Sequence, residues 1–76
     1  MFKKGDLVTL KYKLEEAIRI DHWIMDALVE DNANYRVQEI HVGGEHFLIN
    51  FFWVEIKCFV LVSSLRTVGF VIEDDD

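Results

Sequence analysis

The stretch that most constrains the fold is residues 37–62, which are rich in β-forming residues and hold half of the aromatic residues of the chain. A Gly43-Gly44 pair lies within it, between two β-rich segments, residues 35–41 and 46–52. Glycine reaches the positive φ angles of a tight turn at no steric cost, so this pattern predicts a β-hairpin. We expect the rest of the chain to pack on the sheet that this hairpin begins.

A strict period of two predicts the first strand over residues 7–14, where apolar residues alternate with a lysine-bearing face. In the second predicted strand, residues 35–42, the alternation slips, since Val37 and Ile40 are three apart; this indicates a β-bulge. Three further strands are expected, with a turn near residues 55–57 and a serine-capped helical turn over residues 63–66. These strands are predicted over residues 47–54, 58–62 and 67–72.

Residues 15–30 change to a helical period and predict one amphipathic helix with carboxylates in its first turn. Asp21 falls on its apolar side and Trp23 on its polar side. We expect Asp21 to pair with a base from the sheet, to lie at the rim of the core or to face a partner, because an unpaired buried carboxylate is costly. An exposed Trp23 would suit an interface anchor. The alternative is a rotated helix, with Trp23 partly buried and Asp21 exposed.

Composition indicates one small globular domain, with 51% hydrophobic and 29% charged residues in a chain of 76. No apolar stretch reaches the length of a membrane span, and the N-terminus lacks a signal-peptide pattern. The lone Cys58 fits a reducing, cytoplasmic setting. The net charge of −6 is uneven, since residues 15–31 carry six acids against one base and residues 73–76 are all acidic. This charge opposes non-specific binding to nucleic acid.

Three motifs resemble those of SH3-like small barrels: Phe2-x-x-Gly5-Asp6-x-Val8-x-Leu10, then Tyr35-x-Val37-x-x-Ile40, then Ser63-Ser64-Leu65-Arg66-Thr67-Val68. The resemblance implies a mainly β fold with one helix: a five-stranded small barrel with a helical insertion, about residues 15–31, between strands 1 and 2. The domain would span residues 1–72, followed by an acidic tail, residues 73–76. Such barrels host several functions, so the fold alone assigns none. The compactness and acidity also resemble small phage-encoded proteins that bind host factors.

The hairpin offers a candidate metal site. If Gly43-Gly44 form the turn, His41 faces His46 across the strands and Glu39 lies on the same face. Two imidazoles and a carboxylate could hold zinc with an open position. The alternative, which we favour, is a solvated hairpin tip without metal.

A second candidate site is a nucleic-acid face. Aromatic residues could stack on bases while Lys11, Lys13 and Arg36 contact phosphates. The aromatic residues in question are Phe47, Phe51, Phe52, Trp53 and Phe59. The competing interpretation is that so small a chain needs these aromatics for its core.

The sequence contains no phosphate-binding glycine loop, nucleophile elbow or paired-cysteine motif, so we expect neither an enzyme nor a cofactor. The favoured hypothesis is a protein-interaction module whose acidic helix binds a partner with a basic surface. Its expected contact residues are Trp23, Asp21, Arg19, Asp26 and Glu30. A homodimer through a spare apolar face stays open.

Overall fold

The computed structural model describes residues 2–63, which fold into two three-stranded antiparallel sheets and short helices. The elements in chain order are β1 (Leu7–Leu10), α1 (Leu14–Ile20), α2 (Trp23–Asp26), β2 (Asn34–Arg36), β3 (Glu39–Ile40), β4 (His46–Ile49), β5 (Phe52–Glu55), a 3₁₀ helix (Ile56–Cys58) and β6 (Phe59–Leu61). The first sheet has the order β2-β1-β6 and the second β3-β4-β5. The mainly β fold is therefore confirmed, but within residues 2–63 the sheets do not close into a barrel.

The chain passes from the first sheet to the second between Val37 and Gln38. The Val37 N–H donates to the Asp6 carbonyl, beside β1, at 2.8 Å, and the Val37 carbonyl accepts the Gly5 N–H at 2.8 Å. Gln38 instead donates to the Leu48 carbonyl on β4 at 2.8 Å. The slip in alternation at this point, which predicted a bulge, thus marks a change of sheet.

The glycine hairpin is confirmed as the β3–β4 connection, in the register Ile40↔Phe47. Its turn is wider than two residues, because the Gly44 N–H donates to the His41 carbonyl at 2.8 Å and His41 pairs with His46.

The single strand predicted over residues 47–54 is wrong, because the chain reverses at Asn50 and Phe51. Both residues have positive φ, 51° and 68°, as the centre of a type I′ turn requires. Ile49 then pairs with Phe52, so β4 and β5 form a second hairpin. Asparagine tolerates this conformation; phenylalanine is unusual there.

The single helix predicted over residues 15–30 is also wrong. The chain forms α1 and α2, which Asp21 separates in an extended conformation (φ −148°, ψ 99°). The first strand ends at Leu10 and not at residue 14, because Leu14 begins α1. β6 confirms a strand within residues 58–62, and the 3₁₀ helix replaces the turn expected at residues 55–57. The predicted strand over residues 67–72 and the acidic tail, residues 73–76, lie outside the described residues, as does all of the predicted helical turn except Ser63.

One apolar core joins both sheets and both α-helices. Phe47 is its largest fully buried side chain, and its ring meets Phe2 and Phe59 edge-on, each at 5.4 Å between centroids. The other buried members are Val8, Leu10, Ala17, Ile24, Ala27, Val29, Val37, Ile49, Val54 and Cys58. Among residues 2–63, no helix has the length and apolar character needed to cross a bilayer.

Candidate interaction surface

Asp21 sets the position of α2. Its side chain is only 6% exposed, and no base pairs with it among the described residues. Instead, its Oδ1 accepts the Trp23 N–H at 3.2 Å and its Oδ2 accepts the Glu55 N–H at 2.7 Å. The carboxylate therefore starts α2 and ties it to the end of β5. None of the three roles expected from sequence for Asp21 included this binding of backbone amides.

The other end of α2 is tied to the β4–β5 turn. Asn50 donates from Nδ2 to the carbonyl of Ala27, the residue that ends α2, at 2.9 Å. With Asp21 at the opposite end, α2 lies beside β5, which is an outer strand of the second sheet. Trp23, the first residue of α2, is held next to the hairpin by these two hydrogen-bonded ties.

Trp23 forms one wall of a surface groove of about 350 Å³ that is lined almost entirely by aromatic rings. Phe51 is 80% exposed, Trp23 51%, Trp53 41% and Phe52 37%. We call this feature the aromatic groove and define it by Trp23, His46, Phe51, Phe52 and Trp53. Isolated exposed apolar residues are ordinary, but large apolar side chains gathered on one surface mark an interaction site.

The alternation of the second hairpin explains why Trp53 faces outward. Phe47 and Val54 pair across the strands and are buried. Trp53, one residue from Val54, must point to the opposite face, where it pairs with Leu48. The ring of His41 packs edge-on against Trp53 at 5.4 Å. Trp53 is thus held by its neighbours while it stays accessible to solvent.

The acidic residues predicted to surround Trp23 are only partly gathered at the groove. Asp26 is exposed on α2, three residues after Trp23, and this spacing places the two on one helical face. It forms no ion pair within residues 2–63. Glu30 is exposed beyond α2, and its N–H donates to the Tyr35 hydroxyl. Arg19 lies on α1, 4.0 Å from Glu16, and Asp21 is buried, so we leave Asp21 out of the contact surface.

The bases proposed for nucleic-acid contact are not brought together. Lys11 and Lys13 follow the end of β1, whereas Arg36 pairs with Leu7 at its beginning. Four residues along a strand separate them by about 13 Å. The Arg36 guanidinium donates to the Gly5 carbonyl at 2.9 Å, and the Lys11 ammonium lies 5.7 Å from the Tyr12 ring. None of the three lines the aromatic groove.

His41 and His46 do face each other, with ring centroids 6.3 Å apart. However, His41 Nδ1 accepts the Gly43 N–H at 3.2 Å, and Glu39 pairs with Lys4 at 3.2 Å. Within residues 2–63, no group of three histidine, cysteine or acidic side chains has the geometry to hold a metal ion. His46 takes part instead in the aromatic groove.

Cys58 is fully buried at the end of the 3₁₀ helix. Burial raises the pKa of its thiol to about 11, and the nearby carboxylates of Asp21 and Glu55 act in the same direction. The thiolate that a nucleophile requires is therefore disfavoured. The exposed ammonium of Lys57, next to Cys58, donates a hydrogen bond to the Glu55 carboxylate, and this bond raises the pKa of Lys57.

Sequence reasoning exposed Phe51, Phe52 and Trp53 only in the nucleic-acid alternative and favoured a core role for them, because the segment was predicted as a strand buried on both faces. The available signal was Asn50, a polar residue that favours turns in the middle of an apolar run. A turn at this position divides the run into two short strands. Val54 then faces the core together with Phe47, and Trp53 faces outward.

Comparisons with family models, curated proteins and solved structures give no match for this chain.

Proposed function

We propose that the protein is a non-enzymatic interaction module that binds a protein partner through the aromatic groove. The main observation that supports this proposal is that four large aromatic side chains are exposed around a single groove. Tryptophan and other aromatic residues dominate the binding energy of many interfaces when a partner desolvates them. Trp23, Phe51 and Trp53 are the expected anchors.

The partner that we propose has a basic surface. Asp26 stands on the same helix as Trp23 without an ion-pair partner in residues 2–63, and residues 15–31 carry six acids against one base. Carboxylates around an apolar centre speed encounter with a positively charged protein and orient it. We assign Arg19 and Glu30 to the rim of the proposed contact surface, where they are expected to contribute less than the rings.

We further propose that the chain folds as a cytoplasmic SH3-like small barrel, with the two sheets as parts of its wall and a helical insertion between β1 and β2. Its support is the strand-like segment 34–40, which bonds to the first sheet as far as Val37 and to the second from Gln38 onward. The return of β6 to β1 is a second support. An experimental structure in which residues 34–40 belong to one sheet alone would contradict this assignment.

The binding test compares the wild-type protein with Trp23→Ala and Tyr12→Ala as baits, followed by titration of each purified candidate partner. Tyr12 is a matched control because it is a partly exposed aromatic residue outside the groove. Loss of an anchor typically costs 2 kcal/mol or more, so Trp23→Ala should weaken binding by about 30-fold while Tyr12→Ala leaves it unchanged. The role of Trp23 would be refuted if both variants weakened partner binding equally, or if neither weakened it.

A gel shift separates this proposal from its rival, a nucleic-acid-binding barrel. Tight RNA or DNA binding that weakens steeply with salt, and that Lys11→Ala and Arg36→Ala reduce, would favour the rival. The proposed module should show no retardation of nucleic acid at low salt.

A further inference from the structure

Resting on the proposed function, we propose that the aromatic groove binds a cationic side chain of the partner, with an arginine guanidinium between the rings of Trp23 and Trp53. The two phenylalanine rings supply further walls. The face of an aromatic ring carries negative electrostatic potential, and it attracts a cation within about 6 Å of its centroid.

The charges around the groove favour this ligand over a neutral one. None of the described residues that line the groove is lysine or arginine, so within residues 2–63 no such side chain occupies it. Glu39 and Glu55 are already paired with Lys4 and Lys57. Asp26 shares a helical face with Trp23 and has no ion pair within residues 2–63, so its carboxylate is available to balance an incoming positive charge.

A second place in the molecule already shows the same type of contact. The ammonium of Lys11 lies 5.7 Å from the ring centroid of the neighbouring Tyr12. That site is filled by the chain's own cation, whereas no lysine or arginine of residues 2–63 lines the aromatic groove. Arginine is preferred over lysine there, because a planar and weakly hydrated guanidinium stacks on flat rings and loses less hydration.

The test uses N-acetyl-arginine amide and its neutral isostere N-acetyl-citrulline amide as probes. The chain contains two tryptophans, and both line the groove, so their indole N–H signals in NMR spectra report directly on it. We expect the arginine probe to shift both signals saturably and with about tenfold higher affinity than the citrulline probe. Added salt should weaken the arginine response, because it screens the contribution of Asp26.

Three variants test the contacts. Phe51→Leu keeps the apolar bulk of a strongly exposed residue but removes its ring, and Asp26→Asn removes the charge; each should lower the affinity for the arginine probe several-fold. Tyr12→Leu is the control outside the groove and should leave that affinity unchanged. Thermal melting confirms that each variant is folded.

The inference would be overturned by equal affinity for the two probes, or by indole N–H signals that do not shift when the arginine probe is added. These outcomes differ from failure of the proposed function. If arginine amide binds the groove but no partner depends on Trp23, only the proposed function fails. If a partner depends on Trp23 but excess arginine amide neither displaces it nor shifts the indole signals, only the cationic ligand is wrong.

Discussion

The β4–β5 hairpin contributes aromatic side chains to two clusters with opposite environments. Phe47 on β4 is fully buried and contacts Phe2 and Phe59 edge-on. Phe51, four residues later in the turn, is 80% exposed and faces the aromatic groove. Residues of one type, close in sequence, are thus divided between the core and the surface by strand alternation and one turn. The division separates what stabilises the fold from what is available to a partner.

The exposed cluster is costly for so small a protein. A chain of 76 residues has a modest core, so its stability depends on using large apolar side chains efficiently. Four of its ten aromatic residues line the groove instead. Selection for stability and solubility alone would favour polar residues at these positions, so their presence supports a binding role.

The largest expected effect is at the buried cluster. Phe47→Ala should lower the free energy of unfolding by about 3–5 kcal/mol, because it removes buried surface and leaves a cavity. A chain of this length is expected to have a total of about 4–11 kcal/mol. Urea denaturation followed by circular dichroism measures the change, and Phe47→Leu provides a milder variant if the alanine variant does not fold. A loss below 1 kcal/mol in Phe47→Ala would mean that this ring is not central to the core.

Asp21 joins the two regions, and its replacement should affect both. Asp21→Ala leaves the N–H groups of Trp23 and Glu55 without their acceptor, so the free energy of unfolding should fall by about 3 kcal/mol. The Trp23 indole signal should also move, because the start of α2 is released. Asp26→Ala is the control, since that carboxylate is exposed and should change stability by less than about 0.5 kcal/mol. Equal effects of the two variants would show that Asp21 does not hold α2.

Alkaline pH tests the burial of Cys58 in the core. The thiol of Cys58 has a pKa of about 11 when folded, against an ordinary value of 9.0. The folded state therefore holds its proton more tightly than the unfolded state, and stability should fall as pH rises from 9 to 11. The loss attributable to Cys58 is about 2–3 kcal/mol. This loss is obtained by subtracting the pH dependence of the free energy of unfolding of Cys58→Ala from that of the wild-type protein. The subtraction cancels the titration of lysines and tyrosines. Identical pH profiles would contradict a protonated, buried thiol.

Local patterns in the sequence were sufficient to predict the main parts of the fold. The alternation around Val8, the Gly43-Gly44 hairpin and helical structure after Leu14 each depend on neighbouring residues, and all three are present. The break at Asp21 could not be predicted in this way, because its stabilising partner, the Glu55 N–H, lies 34 residues away. Such a contact exists only once the strands have assembled.

The candidate site was predicted only in part, because local patterns identify Trp23 but not the other walls of the groove. Trp23 was identified because it interrupts a helical pattern, and the structure leaves it exposed. The other walls of the groove depend on the turn at Asn50 and Phe51, where a phenylalanine occupies a conformation that sequence rules assign to glycine. A local conflict of this kind is expected where function overrides stability.

The smallest expected change in stability comes from relieving that conflict. Phe51 has a φ of 68°, in the left-handed region, which costs a residue with a β-carbon about 1 kcal/mol relative to glycine. Phe51→Gly also creates the Asn-Gly pair that type I′ turns prefer, so the free energy of unfolding should rise by about 0.5–1 kcal/mol. The same variant removes one wall of the aromatic groove and should weaken partner binding about tenfold or more. Phe51→Ala separates the two effects, since it removes the ring but keeps the strained β-carbon: binding should fall without the gain in stability. If Phe51→Gly is instead less stable than the wild-type protein, the ring contributes to the fold, and the contrast between the buried cluster and the groove breaks down.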